Sequence, residues 1–265
     1  MASTTLSRSL RYAESEVIAY RRTWRGTVIS SFVNPVFFLA AMGIGLGTMV
    51  DAGTGTGLPI PYVTFVASGL IAANAMQIGA GDGSFPVMAG LKWRKNFHGT
   101  ITTPLGAEDI IWGRLIWAVG RLLFVLLVFA IIAVLFGALE VGPALLAIGP
   151  GVLTGIAFTT AITAWTLNQE DDRSLSSLFR FGIVPLFLFS GTFFPITQLP
   201  DWLAPVAYAT PLFHGVELVR KLALPGEGPP VVTDMPAWIH LAYLLVMAGL
   251  GIYFSIKSLD RRLRL

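Results

Sequence analysis

Long apolar runs alternate with short polar segments along the chain, near residues 28–50, 62–81, 112–137, 144–167, 178–198 and 237–257. At about 1.5 Å per residue each run can cross a hydrocarbon core about 30 Å thick, which predicts an all-α polytopic membrane protein with six transmembrane helices. Ahead of them, Leu6, Leu10, Ala13, Val17, Tyr20 and Trp24 recur at alternating spacings of four and three, one face of a helix. Arg8, Arg11, Glu14, Ser15, Arg22 and Arg25 take the other faces. The spacing therefore predicts an amphipathic helix within 1–26, lying in the membrane interface with its basic side toward the headgroups. A helix packed on a soluble partner fits the same pattern, and both readings put the N-terminus in the cytoplasm.

One stretch fits neither a span nor a solvent loop. Residues 189–221 are broken by Pro195, Pro200, Pro205 and Pro211, yet carry Phe193, Phe194, Trp202, Tyr208 and Phe213 between the breaks. They close on His214, Glu217, Arg220 and Lys221. Irregular backbone at membrane depth survives only where protein buries it or where it lines a wet cavity. The composition predicts a chain that enters the membrane edge, turns and returns.

Composition sharpens the class. Charged side chains are only 12% of the chain and mean hydropathy is +0.72, whereas soluble domains carry about 25% charged residues. The net charge of +3 is explained by basic residues beside the spans rather than by nucleic acid. Arg-rich 1–26, Lys92, Arg94 and Lys95, Arg173 and Arg180, and the tail with Lys257, Arg261, Arg262 and Arg264 alternate with segments poor in Lys and Arg. Both termini are thus expected in the cytoplasm, with 189–221 turning on the outer side. The N-terminal segment has neither an apolar core before its charges nor a cleavage site, so no cleaved leader is expected. Cysteine is absent, which removes thiolate metal sites and thiol nucleophiles. No second, soluble domain is expected within 1–265.

The loop over 82–111 is the second informative region. A short helix over 85–97 would present Met88, Leu91, Trp93 and Phe97 among Lys92, Arg94 and Lys95, the mix of a protein-docking surface. Glu108 and Asp109 would sit in the first turn of the next helix, where the macrodipole favours carboxylates. The bland alternative is an ordinary positive-inside loop.

Here the residues carry a resemblance. R-K-N-F-H-G-T-I-T-T-P-L-G-A-E-D-I-I-W-G-R (94–114) resembles the first cytoplasmic loop of type-2 ATP-binding-cassette permeases, a coupling helix followed by a TPL run entering the third span. S-G-T-F-F-P-I-T-Q-L-P-D-W-L-A-P-V-A-Y-A-T-P-L-F-H-G-V-E-L-V-R (190–220) is similar to that family's signature after the fifth span. P-V-F-F-L-A-A-M-G-I-G-L-G (35–47) looks like its first span. The likeness is to the branch of nodulation lipo-oligosaccharide and daunorubicin exporter permeases. It implies an exporter permease that pairs with a second copy or a paralogue and docks two separate ATPase subunits, which would bind ATP and Mg. Coupling would fall to Met88, Leu91, Trp93, Arg94, Lys95 and Phe97. The resemblance also implies a pair of short re-entrant helices on the outer side, over 199–224, with the exit shaped by Phe194, Pro195, Trp202, Tyr208, Pro211, His214, Glu217 and Arg220.

The cargo implied is amphipathic, a lipid-linked saccharide, glycolipid or lipo-oligosaccharide, with a drug or antibiotic as the alternative. No G-x-x-x-x-G-K-[ST] phosphate loop is present, so no cofactor is expected on this chain. Gly43, Gly45 and Gly47, and GAGDGS at 79–84, read as helix packing and a span end. Arg114 is expected to snorkel at the membrane edge. Arg121, deeper, is a candidate contact to substrate or lipid headgroup, with a structural ion pair as the alternative. His98, His214 and His240 lie far apart in sequence and show no ligand spacing. A membrane-embedded lipid transferase would need convergent acid–base or metal residues, and a passive channel would need polar rings. Asn74, Gln77 and Arg121 look too scattered for the latter.

Overall fold

The structure, a computed structural model, describes residues 5–22, 24–52 and 58–264. Residues 53–57 of the polar turn over 51–61 therefore fall outside the described residues, as do 1–4 at the N-terminus. Every regular element among the described residues is helical. In chain order these are α1 (Thr5–Tyr20), α2 (Trp24–Asp51), α3 (Tyr62–Trp93), α4 (Asn96–Thr100), α5 (Ala107–Leu135) and α6 (Val141–Thr166). Then α7 runs through Arg173–Leu178, Phe179–Ile183 and Val184–Phe189, followed by α8 (Ala204–Tyr208), α9 (Pro211–Ala223) and α10 (Ala237–Leu263).

Among the described residues, five helices (α2, α3, α5, α6 and α10) are long and apolar enough to cross a membrane. The run expected over 178–198 is helical instead over α7 and stops at Phe189, because Ser190 and Gly191 turn the chain. The Ser190 N–H still reaches Leu186 O at 3.2 Å, while Gly191 sits at φ 83°, a left-handed position that costs glycine nothing.

The core is where α3, α6 and α9 meet α5 and α10. α3 and α6 touch through small residues. A Cβ on Gly79 would lie 2.3 Å from Gly155 O, so the backbones meet with no room for a side chain. Around that seam Phe65, Leu70, Ile71, Met76, Leu122 and Leu126 are fully buried.

α3 overruns the span expected at 62–81. It breaks at Ser84, whose φ and ψ are −105° and −103°, and restarts at Phe85 with Pro86 in its first turn, where a missing N–H costs nothing. It ends in a wider π-type turn over Ala89–Trp93, where the Arg94 N–H reaches Ala89 O at 2.7 Å. This extension is folded back into the protein. Met88, Leu91 and Phe97, expected on a docking surface, are buried, Leu91 and Phe97 in a cluster with Val87, Ile110 and Leu115. Trp93, Arg94 and Lys95 remain exposed. The apolar members of that expected surface are thus committed to the chain's own core.

α1 lies along α5, burying Ser9, Tyr12 and Ala13, while Leu6, Leu10 and Val17 stay exposed. Asp109 closes the start of α5 by accepting the Gly106 N–H at 2.9 Å, and pairs with Arg8 at 3.5 Å.

A polar chamber between three helices and an arginine-anchored turn beyond it

Three long helices each contribute an amide or a charge to one hollow. Asn34 comes from α2, Asn74, Gln77 and Asp82 from α3, and Arg121 from α5; together they line a cavity of about 430 Å³. Asn74 and Gln77 are three residues apart, and Gln77 and Asp82 five, so α3 turns one polar edge toward the gap. The side chains that looked scattered along the sequence are thus gathered. A second hollow of about 370 Å³ shares Asn34, Asn74 and Gln77 and is otherwise lined by apolar groups including Phe37, Phe38, Met42 and Phe187. The lining runs from charged through amide to aromatic.

The charged end is an ion pair. Arg121 donates from Nη1 to Asp82 Oδ1. Of the two readings for Arg121, the ion pair is present, and its partner Asp82 was passed over as part of a span end. A lone carboxylate so near a hydrophobic run was itself the signal. Arg114 does not snorkel freely. Its guanidinium bonds Asp82 O at 2.8 Å and Glu16 of α1 at 3.4 Å. Tyr12 lies beside this pair, and burial pushes its hydroxyl well above its ordinary pKa, so it stays neutral.

At the aromatic end, Phe193 stacks on Phe38 with centroids 5.9 Å apart and meets Phe187 edge-on at 5.1 Å. Phe193 follows Thr192, whose carbonyl is held by Arg220. Arg220 is 2% exposed. Its Nη2 donates to Phe65 O at 3.2 Å and Thr192 O at 3.3 Å, its Nε points to Ser68 Oγ at 3.4 Å, and its guanidinium lies 3.8 Å from the centre of the Phe65 ring. A Cβ on Gly69 would meet both Thr192 O and Arg220 Nη2 within 3.0 Å, so the glycine makes room for the clamp.

The other residues of this stretch diverge. Instead of sharing one face, His214, Glu217 and Arg220 leave α9 toward three partners. His214 Nδ1 lies 2.9 Å from His240 Nδ1 on α10, and its ring stacks on Tyr243. This pairing joins two histidines that looked unrelated. A histidine inside an otherwise apolar span is the clue that sequence offered. Glu217 accepts from the Thr233 N–H and hydroxyl at 2.8 and 2.6 Å, and Lys221 donates to Thr233 O. The excursion over 190–210 is closed at its base, where the Thr210 hydroxyl meets Ser190 Oγ at 3.0 Å, and Thr210 caps α9 just before Pro211. Pro195 is buried and Phe194 meets Phe189 edge-on, Tyr208 packs on Phe213, and Trp202 is exposed.

On the side of α1, Glu170 bonds Arg262 of α10 at 3.1 Å and Lys92 of the α3 extension at 3.5 Å. The Arg262 hydrogen bond and then the Lys92 charge hold its carboxyl below the usual range.

The profile of the family described as ABC-2 type transporter matches residues 12–224. Nodulation protein J of Sinorhizobium fredii is 28% identical, the match spanning 93% of this chain and 90% of that protein. Its namesake in Bradyrhizobium diazoefficiens is also 28% identical over the same shares. The inner membrane transport permease YadH of Escherichia coli is 23% identical over 89% of this chain and 93% of its own length. With its apolar helices and a family match that runs from α1 to the end of α9, this integral membrane protein belongs to the ABC-2 type transporter family.

Proposed function

We propose that the chain is the membrane subunit of an ATP-driven exporter that moves an amphipathic molecule outward across a bacterial inner membrane. The observation that carries this is the graded chamber. An ion pair and three amides lead into a phenylalanine-lined hollow, the order needed by a molecule with a polar head and a greasy tail. The resemblance to nodulation-type permeases favours a lipid-linked saccharide or lipo-oligosaccharide over a drug. In this reading α7 completes six crossings, both termini are cytoplasmic, α1 lies in the interface with Leu6, Leu10 and Val17 toward lipid, and 199–224 forms the re-entrant exit.

α2 bares Phe32, Val33, Val36 and Phe37, a surface that suits pairing with a second permease. Such pairing would let lipid tails enter sideways beside the first span. Trp93, Arg94 and Lys95 are the exposed tip that would seat each ATPase, which holds the ATP and Mg. As a transport subunit the chain performs no catalysis itself. The test is co-purification with the ATPase, then ATP turnover in lipid nanodiscs with an acylated saccharide. The expected result is stimulated turnover, and transport that persists without any ATPase refutes the reading.

A further inference from the structure

Asp82 and Arg121 stand on the wall between two cavities. One is the chamber of about 430 Å³. The other, about 130 Å³, lies toward α1, α6 and α10 and is lined by Glu16, Arg114, Thr163 and the same Asp82–Arg121 pair. Among the residues lining the two, the acidic and basic side chains are Arg114, Arg121, Glu16 and Asp82, two of each sign. Arg114 is spent on Glu16 and on the Asp82 carbonyl. Asp82 is 8% exposed and gives one oxygen to Arg121, while its Oδ2 and Arg121 Nε are buried without a hydrogen-bond partner. One acceptor and one donor are therefore left at the ion-paired end of a row of amides.

We propose that Asp82 is the specificity-determining residue of the chamber: by neutralising Arg121 it selects uncharged headgroups rich in hydroxyls or amides and rejects anionic ones. The inference rests on reading the chamber as the headgroup path. A free arginine in a low-dielectric wall would clamp a phosphate or sulfate through two parallel bonds. With Asp82 in place an arriving anion meets a carboxylate, and nothing repays the water it sheds. A cation meets Arg121 in the same way. A sugar hydroxyl or an acetamido group can donate to Oδ2 and accept from Nε or an amide without bringing charge. Discrimination of this kind needs a repulsive element as well as an attractive one.

The experiment uses the full chain in lipid nanodiscs and three photoreactive amphiphiles with one dodecyl chain, headed by maltoside, phosphate or trimethylammonium. Labelling of α2, α3 and α5 is mapped by mass spectrometry and competed with unreactive probe. The wild-type chain is expected to favour maltoside. Asp82→Asn should raise the phosphate-to-maltoside ratio by about tenfold or more, since it leaves a buried positive charge unpaired. Arg121→Gln should raise the trimethylammonium ratio instead, and Asp82→Asn with Arg121→Gln should restore the neutral preference. Should Asp82→Asn not fold, Arg121→Gln against the double variant reads the contribution of Asp82 alone. Ratios that ignore these charge changes overturn the assignment while leaving the chamber intact. If Asn74→Ala with Gln77→Ala leaves maltoside labelling untouched, the chamber is not the headgroup path and both readings fall.

Discussion

Arg220→Lys is a sharp test of the outer clamp, because it keeps the charge but shortens the side chain and removes its flat face. Arg220 Nη2 bridges two carbonyls on different elements, Phe65 O on α3 and Thr192 O in the turn after α7, while the guanidinium face rests on the Phe65 ring. A lysine ammonium would sit near the position of Cζ, one bond short of Nη2, so it cannot hold both carbonyls at these distances and has no planar face for the ring. Phe65 O retains the Ser68 hydroxyl at 2.8 Å, whereas for Thr192 O the donor among the described residues is Arg220. One charge-assisted hydrogen bond is worth about 1.5–3 kcal/mol, and a desolvated cation–π contact adds up to about 2. The lysine charge stays buried, so its desolvation is not recovered.

A loss of about 2–4 kcal/mol in the docking of residues 190–199 onto α3 is therefore expected. Hydrogen exchange at the Ser190, Gln198 and Leu199 amides, which bond Leu186, Pro195 and Ile196, reads this directly. Each 1.4 kcal/mol is tenfold, so exchange there should quicken by at least about thirtyfold, with the α3–α6 seam unchanged. A folded Arg220→Lys chain with wild-type exchange over this segment would refute the clamp.

Other outcomes follow from the same geometry. Gly79→Val drives a side chain into Gly155 O and should cost about 3 kcal/mol or more, seen as faster thermal inactivation in detergent. Arg94→Glu with Lys95→Glu changes two exposed residues and should weaken ATPase co-purification while membrane insertion stays normal; unchanged co-purification removes the docking role. Glu170 has a lowered pKa in the fold, so its contribution is present above the ordinary carboxylate value and fades as pH falls through the lowered one. Melting curves at descending pH should show that acid loss in the wild type and not in Glu170→Gln.

Five of the six expected spans were legible as long helices because each is a continuous apolar run, and the α1 phase because it repeats at helical spacing. Asp109 was legible as a first-turn carboxylate, and it caps α5 as its position required. What sequence could not supply was which helices touch. Asn34, Asn74 and Arg121 come from three helices, so their convergence is a fact of packing, set by seams such as Gly79 on Gly155. Met88 and Leu91 were misplaced for a related reason. Three-residue spacing marks a helix face, but not whether that face turns to a partner or to the chain's own core. Arg220 and Lys221 read as exceptions to the charge pattern. One is buried on carbonyls and the other spent on Thr233, so neither is free to act as a topology signal.

α3 joins these features mechanically. It starts under the Arg220 clamp at Phe65, lines the chamber through Asn74, Gln77 and Asp82, breaks at Ser84, and ends at the exposed Trp93–Lys95 tip. Its upper part is fixed on α6 by glycine contacts too close for a side chain to slide through. Its lower part is fixed differently, by Lys92 on Glu170 and by Val87 and Leu91 in a separate cluster with α5. A force applied at Trp93 therefore meets a stiff segment, then a joint, and Asp82 lies two residues beyond that joint. The bond most exposed to such a movement is Asp82 to Arg121, since its partners belong to different helices. Displacing the α3 tip is thus expected to act on the charged end of the chamber before it can reach the aromatic end, where Arg220 holds the outer turn in place.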